Sequence, residues 1–287
     1  MAFRKAIFVI TPKFFTMSDS NSTNKVTERN IRDQKAEQGN SLVWSYKTLR
    51  NFIGFCGILL PLILWLFTGQ CGNGYSIEPS ISDYYYTCGG EILVMVLAVM
   101  GSFLITYNGY GLWTEVLLYK VAGLCALGIA FFPTAANSAN GDSVHAIVAD
   151  VPGKFDITEL HLVVATTFFV CTAIICFFFF TRDANYGLKQ PTHTISANKH
   201  WRNRIYYFCG AMIVLSLVIL FIHFSCPTCF GNPSKDAPFV AIWETVALEA
   251  FGLAWLTKGE TLFPDGEHYA MKGLRSVKLM FQDVESK

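Results

Sequence analysis

The residues in this chain that could do chemistry are a serine, a histidine and carboxylates placed next to long apolar runs. Ser82 and Asp83 lie in a polar, aromatic segment that leads into such a run, and His161 and Glu244 lie near the start of two others. A histidine with carboxylates can hold a divalent metal that activates water, or it can form a metal-free acid–base pair with a serine nucleophile. We therefore predict Ser82, Asp83, His161 and Glu244 as candidate catalytic residues. The candidate ligands for a divalent metal, the one cofactor that the sequence suggests, are His161, Asp83 and Glu244.

The elements that must position these residues are apolar helices of membrane-spanning length. Of the 287 residues, 52% are hydrophobic and only 15% are charged, whereas about a quarter of the residues of a soluble domain are charged. A membrane span needs about 20 mainly apolar residues. The pattern predicts an all-α integral membrane bundle of six transmembrane helices, at 52–68, 90–107, 116–133, 160–181, 205–224 and 239–256.

Lys and Arg are concentrated in alternate connections, which predicts the orientation of the bundle. Nine of the 22 precede residue 51, and only two lie in the segments 69–89, 134–158 and 225–238. Because positive residues favour the cytoplasmic side of a membrane, both termini are predicted to be cytoplasmic (N-in/C-in), and we assign the protein to the plasma (inner) membrane. We predict three parts: a cytoplasmic N-terminal segment at 1–50, which is disordered over 18–41, a transmembrane domain at 51–257 and a cytoplasmic tail at 258–287.

In this orientation each helix that runs inward from the outer side carries an ionisable residue near its outer end: Glu91, His161 and Glu244. An ionisable residue in a span is costly and is therefore a functional hypothesis. With Asp83 tethered just above Glu91, these side chains are predicted to converge on an outward-facing polar pocket. The residues predicted to bind a ligand there are Glu91, Tyr84, Trp243 and Glu249.

Two of these ligand candidates have simpler interpretations. Glu249 lies about 140° around the helix from Glu244 at 100° per residue, so it is predicted to face elsewhere and to need a partner of its own. Tyr84 begins a run of three tyrosines, which most simply forms an aromatic belt at the membrane interface. Stacking on a lipid headgroup is the alternative for the tyrosines.

Four of the nine cysteines lie in predicted outer connections: Cys71, Cys88, Cys226 and Cys229. On an oxidising face, four cysteines can form two disulfides in three connectivities. Cys226 and Cys229 also have the CxxC spacing of zinc and redox sites. Because no second CxxC accompanies them, a structural disulfide is the preferred interpretation.

Three classes of function are compatible with the polar residues. The first is a protein that binds and modifies membrane lipid, as a hydrolase or transferase. The second is a non-enzymatic membrane scaffold or lipid sensor in which the same residues lock the helices together. The third is a small-solute or proton-coupled transporter that uses Glu244 and Glu249. The expected partners are membrane lipid and a second copy of the chain, and no nucleic-acid signature is present.

The residues Ile81, Ser82 and Asp83, together with His161 and the pair Trp243-Glu244, resemble those of the six-helix Frag/DRAM/Sfk-type membrane proteins and of related uncharacterised bacterial DUF-type families. The likeness covers about residues 45–260. It implies a six-helix membrane fold and a role in lipid remodelling, including that of glycosylphosphatidylinositol anchors, or in autophagy-linked membranes. No agreed catalytic mechanism comes with it. The chain departs from the pattern where tyrosines follow Asp83 and in its additional cysteines.

Overall fold

The described part of the chain is entirely helical. The computed structural model describes residues 41–73, 75–134, 157–182, 197–230 and 237–263, and within them it contains six α-helices and no strand. The helices are α1 (Ser41–Thr68), α2 (Gly90–Thr106), α3 (Trp113–Phe131), α4 (Ile157–Ile174), α5 (Ala197–Ser225) and α6 (Phe239–Lys258). Two π-helical turns and two 3₁₀ turns adjoin them, at Gly69–Asn73, Ile175–Phe179, Ser82–Tyr86 and Pro227–Phe230.

The chain divides into two units, Met1–Tyr46 and Lys47–Lys287. Of the first unit only residues 41–46 are described, as the first residues of α1. The stretch predicted to be disordered therefore lies outside the described residues, apart from Ser41. Most of the predicted C-terminal tail, from residue 264 onward, also lies outside them.

Five of the described helices are long and apolar enough to cross a membrane, namely α1, α3, α4, α5 and α6. Helix α2 is apolar but has 17 residues. At 1.5 Å per residue it rises about 26 Å, slightly less than the hydrocarbon core of a bilayer, which is about 30 Å thick. The predicted class of all-helical, multi-pass membrane protein is confirmed in these terms.

The helix boundaries differ most from the prediction at the amino ends of α1 and α5. Helix α1 begins at Ser41 and α5 at Ala197, whereas the apolar runs begin at residues 52 and 205. The added residues are mostly polar or aromatic, and a hydropathy pattern marks only the apolar part of a helix. The predicted domain boundary at residue 50 therefore falls inside α1.

Helices that follow one another in the sequence pack side by side: α2 with α3, α3 with α4, α4 with α5, and α5 with α6. Between α2 and α3 the chain turns through Gly109 and Gly111, whose φ angles are 56° and 79°. Glycine adopts such angles without steric cost. Successive helices run in opposite directions, so the starts of α2, α4 and α6 lie at one end of the bundle, here called the Asp83 end. The starts of α1, α3 and α5 lie at the other, the Lys258 end.

Glycines allow two pairs of helices to approach each other very closely. A Cβ atom added to Gly252 in α6 would lie 2.6 Å from the backbone oxygen of Gly54 in α1. A Cβ atom added to Gly123 in α3 would lie 2.7 Å from the backbone oxygen of Gly101 in α2. Small residues permit this backbone contact between membrane helices.

The half of the bundle toward the Lys258 end is held by an aromatic cluster around Trp255 of α6. The Trp255 ring centroid lies 5.4 Å from that of Phe103, 5.1 Å from that of Tyr107 and 5.2 Å from that of Phe180. Tyr119 of α3 lies on the same cluster, 6.1 Å away. Pairs of aromatic rings at such distances stabilise beyond the area that they bury, so Trp255 ties α6 to α2, α3 and the end of α4.

Many outward-facing side chains of the helices are large and apolar. Phe221 is 71% exposed, Leu124 is 62% exposed and Phe178 is 60% exposed. Soluble monomers rarely expose large contiguous apolar patches. An apolar exterior on several helices is what a lipid environment requires, since lipid tails stabilise such surfaces without burial.

Both predicted pairs of cysteines are joined at the Asp83 end. Cys71 is bonded to Cys88, which links the end of α1 to the start of α2, and Cys226 is bonded to Cys229 after α5. This selects one of the three connectivities that the sequence leaves open. Because Cys226 and Cys229 are bonded to each other, the CxxC pair is a disulfide here and holds no zinc.

Candidate functional site

The site is built on a short capped turn at the Asp83 end, the 3₁₀ turn Ser82–Tyr86. The amide of Ser80 donates to the Asp83 carboxylate at 3.0 Å, and the amide of Asp83 donates to the Ser80 hydroxyl at 3.1 Å. This reciprocal pair has the logic of a capping box, in which two residues three positions apart each accept from the other's amide. The pair fixes the backbone conformation that presents Ser82.

Helix α6 anchors the residues that precede the turn. The amide of Ala241, in the first turn of α6, donates to the carbonyl of Pro79 at 2.8 Å. One turn further along, a Glu244 carboxylate oxygen accepts from the amide of Ile81 at 2.6 Å. A hydrogen bond to a charged acceptor is shorter and stronger than a neutral one. Glu244 thereby holds the backbone immediately before Ser82.

Ser82 and His161 form the closest pair of chemically active side chains at this end. The Ser82 hydroxyl lies 2.8 Å from His161 Nε2, and His161 Nδ1 lies 2.5 Å from the backbone oxygen of Phe132. A carbonyl oxygen can only accept, so in the neutral imidazole Nδ1 carries the hydrogen and Nε2 accepts from the serine hydroxyl. His161 is 4% exposed. This is the arrangement in which an oriented base activates a serine nucleophile.

Asp83 lies beside this pair but does not hydrogen-bond to His161 within the described residues. One carboxylate oxygen accepts from the Thr134 hydroxyl at 3.3 Å and the other from the Ser80 amide. Burial raises the pKa of Asp83 above its ordinary range, and the bonds from Ser80 and Thr134 and the nearby His161 oppose that shift. Burial also raises the pKa of Glu78, with the charge of Asp83 as a further cause. Asp83 therefore acts on the imidazole through its charge, while the carbonyl of Phe132 holds the ring.

The connection after α3 closes the site from a third side. The Tyr86 hydroxyl donates to the carbonyl of Thr134, and Thr134 in turn donates to Asp83. Phe132, which accepts from His161, lies two residues earlier. Three separate parts of the chain thus meet around Ser82: the start of α4, the start of α6 and the residues that follow α3.

The structure brings together four of the predicted site residues and separates the others. Ser82, Asp83, His161 and Glu244 surround the capped turn, as described above. Glu91 is exposed in the first turn of α2, where it makes no hydrogen bond to any described residue. The buried face of α2 carries Gly90 and Leu93 instead, so Glu91 lies outside the group of side chains that meet at the capped turn.

The remaining ligand candidates lie in three different environments. Tyr84 is 1% exposed and its hydroxyl accepts from the Glu78 amide at 3.5 Å, so it is a core residue and not part of an interface belt. Trp243 is half-buried near the start of α6. Glu249 is exposed between the buried residues Leu248 and Ala250, because successive helical residues point about 100° apart.

The predicted metal ligands do not form a metal-binding group. Among the residues that the structure describes, no three His, Cys, Asp or Glu side chains are placed to share an ion. Both nitrogens of His161 are engaged by Ser82 and Phe132, and Glu244 is directed at the amide of Ile81. This geometry therefore does not support the predicted divalent metal.

Sequence reasoning missed the groups that orient Ser82 and His161. The carbonyl of Phe132 carries no signal in the sequence, since any residue at that position would supply it. Thr134 and Tyr86 could be found only from the tertiary contact between them. The spacing of Ser80 and Asp83, in contrast, matches a capping-box pattern and was a usable signal.

No family model, no curated protein and no solved structure matches this chain. The resemblance to the six-helix Frag/DRAM/Sfk-type membrane proteins therefore stays a prediction from a few residues.

Proposed function

We propose that this chain is a multi-pass membrane protein that binds lipid at the Asp83 end and cleaves or transfers a lipid acyl group there. Ser82 is the nucleophile and His161 is the base in this proposal. The observation that carries it is the hydrogen bond between Ser82 and Nε2 of His161, with Nδ1 held by the Phe132 carbonyl. The apolar exterior of the helices supports lipid as the substrate class, since an acyl chain can lie along that surface.

The proposed reaction has two steps. The Ser82 oxygen bonds to the carbonyl carbon of a lipid ester while its proton passes to His161 Nε2. The ester C–O bond then breaks, His161 returns the proton to the leaving alkoxide, and the acyl group remains on Ser82. In the second step water or an acceptor hydroxyl attacks the acyl-serine by the same proton relay. The negative charge of Asp83 stabilises the imidazolium that forms in each step.

The proposed orientation places the Asp83 end outside the cytoplasm. Lys and Arg are abundant before residue 51 and nearly absent from the connections at the Asp83 end, which favours six spans with both termini inside. Two disulfides at the Asp83 end support the same orientation, because disulfides persist in oxidising compartments. We propose the plasma membrane as the location, with the outer leaflet as the source of substrate.

The test is covalent labelling of the purified full-length protein by a fluorophosphonate probe, which reacts with activated serines. Wild type is expected to be labelled, and Ser82→Ala is expected to lose the label while remaining folded. The matched control is Ser102→Ala, because Ser102 is an exposed serine of α2 that lies outside the capped turn. Absence of label in the folded wild type, or equal labelling of wild type and Ser82→Ala, would overturn the proposal.

A second candidate function is a non-enzymatic scaffold in which these residues lock the helices. The bonds from Ile81 to Glu244 and from Thr134 to Asp83 favour it, because they join separate parts of the chain without using Ser82. His161→Ala cannot separate the two candidates, since His161 is buried and both its nitrogens are bonded. Replacing it would destabilise an enzyme and a scaffold alike, so the serine variants decide.

A further inference from the structure

The Lys258 end of the bundle contains a cavity of about 200 Å³. It lies between residues from the start of α1, the turn before α3, the end of α4, the start of α5 and the end of α6. A water molecule occupies about 30 Å³ of liquid, so the cavity has room for about six of them. Pockets for drug-sized ligands are larger, at about 300–1,000 Å³. The space therefore suits a small polar group.

The charge around this cavity is strongly positive. The cavity is lined by five cationic side chains, Arg50, Arg182, Lys199, Arg202 and Lys258, and by one carboxylate, Glu260. Glu260 already forms an ion pair with Lys47 at 2.6 Å. Behind the lining, Glu115 is buried and accepts from the Tyr110 amide at 3.1 Å. Even with Glu115 counted, positive charges outnumber negative ones among the described residues around the cavity.

Two of the cations are buried, so they are not simply solvated surface residues. Lys258 is 8% exposed and Arg202 is 9% exposed. The Lys258 ammonium donates to the Tyr110 hydroxyl at 3.1 Å and to the Phe180 carbonyl at 3.5 Å, and both are neutral acceptors. Within the described residues it makes no ion pair. The charge of the buried Glu115 acts on Lys258, whereas the like charges of the other cations in the cavity oppose its burial.

We propose that this cavity binds a phosphate-bearing anion and that the bound group is a phosphomonoester. Arginine guanidinium groups match phosphate oxygens in a bidentate geometry, and a phosphomonoester carries a charge of about −1.5 to −2 near neutral pH. A group of that size fits the cavity, and its oxygens would lie among the guanidinium and ammonium groups that line it. The headgroup of an anionic lipid and a free phosphate share this chemistry, and the experiment below distinguishes them.

The cavity is a separate site from the one around Ser82. Lys258 lies 14 residues beyond Glu244 on the same helix, which is about 21 Å along its axis at 1.5 Å per residue. The proposal therefore does not rest on the acyl-transfer proposal. Loss of binding here would leave labelling of Ser82 unchanged, so the two can fail independently.

The experiment measures ligand binding to the full-length protein in nanodiscs of phosphatidylcholine. Native mass spectrometry counts bound lipid after addition of phosphatidic acid, a phosphomonoester, or phosphatidylserine, a phosphodiester. A parallel sample receives inorganic phosphate, and its melting temperature is compared with that in chloride at equal ionic strength. The variants are Arg202→Gln and Lys258→Met, with Arg204→Gln as the matched control. Arg204 is on the same helix and stacks on Trp201, outside the cavity.

Phosphatidic acid is expected to bind at one site more tightly than phosphatidylserine. Arg202→Gln is expected to weaken this binding about tenfold, which corresponds to about 1.4 kcal/mol, and Arg204→Gln to leave it unchanged. If inorganic phosphate also raises the melting temperature, the site accepts free phosphate as well as lipid. If only phosphatidic acid binds, the site takes a lipid headgroup. If Lys258→Met does not fold, Arg182→Gln takes its place. Equal losses in Arg202→Gln and Arg204→Gln, or no selective binding by wild type, would overturn the proposal.

Discussion

Asp83→Asn should remove one contribution to the acid-range pH dependence of this protein's stability. The Asp83 carboxylate is largely buried, and burial raises its pKa above the ordinary value of 3.8. Its hydrogen-bond donors are Ser80 and Thr134. The titratable groups near it include Glu78, His161, Glu244 and Tyr86. An asparagine has nearly the same shape but does not titrate.

The sign follows from proton linkage. Because the pKa of Asp83 is higher in the folded protein than in the unfolded chain, the folded protein binds the proton more tightly. This contribution to stability is fully present below the unfolded pKa of about 3.8 and is lost as the pH rises through the folded pKa. The free energy of unfolding is therefore expected to fall with rising pH in that window, by about 1.4 kcal/mol for each unit of pKa difference.

At neutral pH, the hydrogen bonds of Asp83 decide how far the stability of each variant differs from that of wild type. Asp83→Asn keeps one carbonyl oxygen and loses one acceptor, which costs about 1 kcal/mol, and it removes a charge that is costly to bury. These effects oppose each other, so we expect the variant to lie within about 1 kcal/mol of wild type. Asp83→Ala leaves the donors of Ser80 and Thr134 without their acceptor and should cost about 2 kcal/mol or more.

The assay is thermal unfolding of the detergent-purified protein between about pH 3.5 and 7, with the wild type, Asp83→Asn and Glu78→Gln measured side by side. Glu78→Gln serves as a control because its raised pKa contributes a slope of the same sign. The difference between wild type and Asp83→Asn isolates the contribution of Asp83. A stability that rises with pH in this window, or an unchanged slope in Asp83→Asn, would refute the reasoning.

Two further predictions concern packing and anchoring within the bundle. Glu244→Ala should lower the free energy of unfolding by about 1–3 kcal/mol because the Ile81 amide loses its acceptor, whereas Glu244→Gln should cost less; equal losses in a thermal-shift assay would contradict this. Gly252→Ala should cost about 1–3 kcal/mol by overpacking, because the new Cβ would lie 2.6 Å from the backbone oxygen of Gly54. The control is Gly128→Ala, whose Cβ meets only a side chain, at 3.3 Å, and a melting temperature lowered as much in the control as in Gly252→Ala would rule out the packing argument.

The helices could be predicted from the sequence because hydropathy depends on local composition. All six apolar runs correspond to helices. The amino-terminal boundaries of α1 and α5 were predicted less accurately, because a helix can continue into polar residues with the same backbone hydrogen bonds. Boundaries at polar ends are therefore decided by packing.

The candidate site was predicted in part. Ser82, Asp83, His161 and Glu244 were selected because ionisable and nucleophilic residues are rare beside membrane helices, and the structure gathers them. Glu91 satisfied the same criterion but faces away. Composition locates a residue along a helix, whereas its direction depends on how the helix rotates against its neighbours.

The sequence by itself determined that the chain forms apolar helices, that they alternate in direction and that polar groups gather near one end. These properties follow from residue type and order. Only the tertiary structure decided that Ser82 meets His161, that the Phe132 carbonyl sets the tautomer, and that cations from three helices and from the segment after α4 surround one cavity. Such contacts join residues far apart in the chain, and backbone groups that carry no sequence signal complete them.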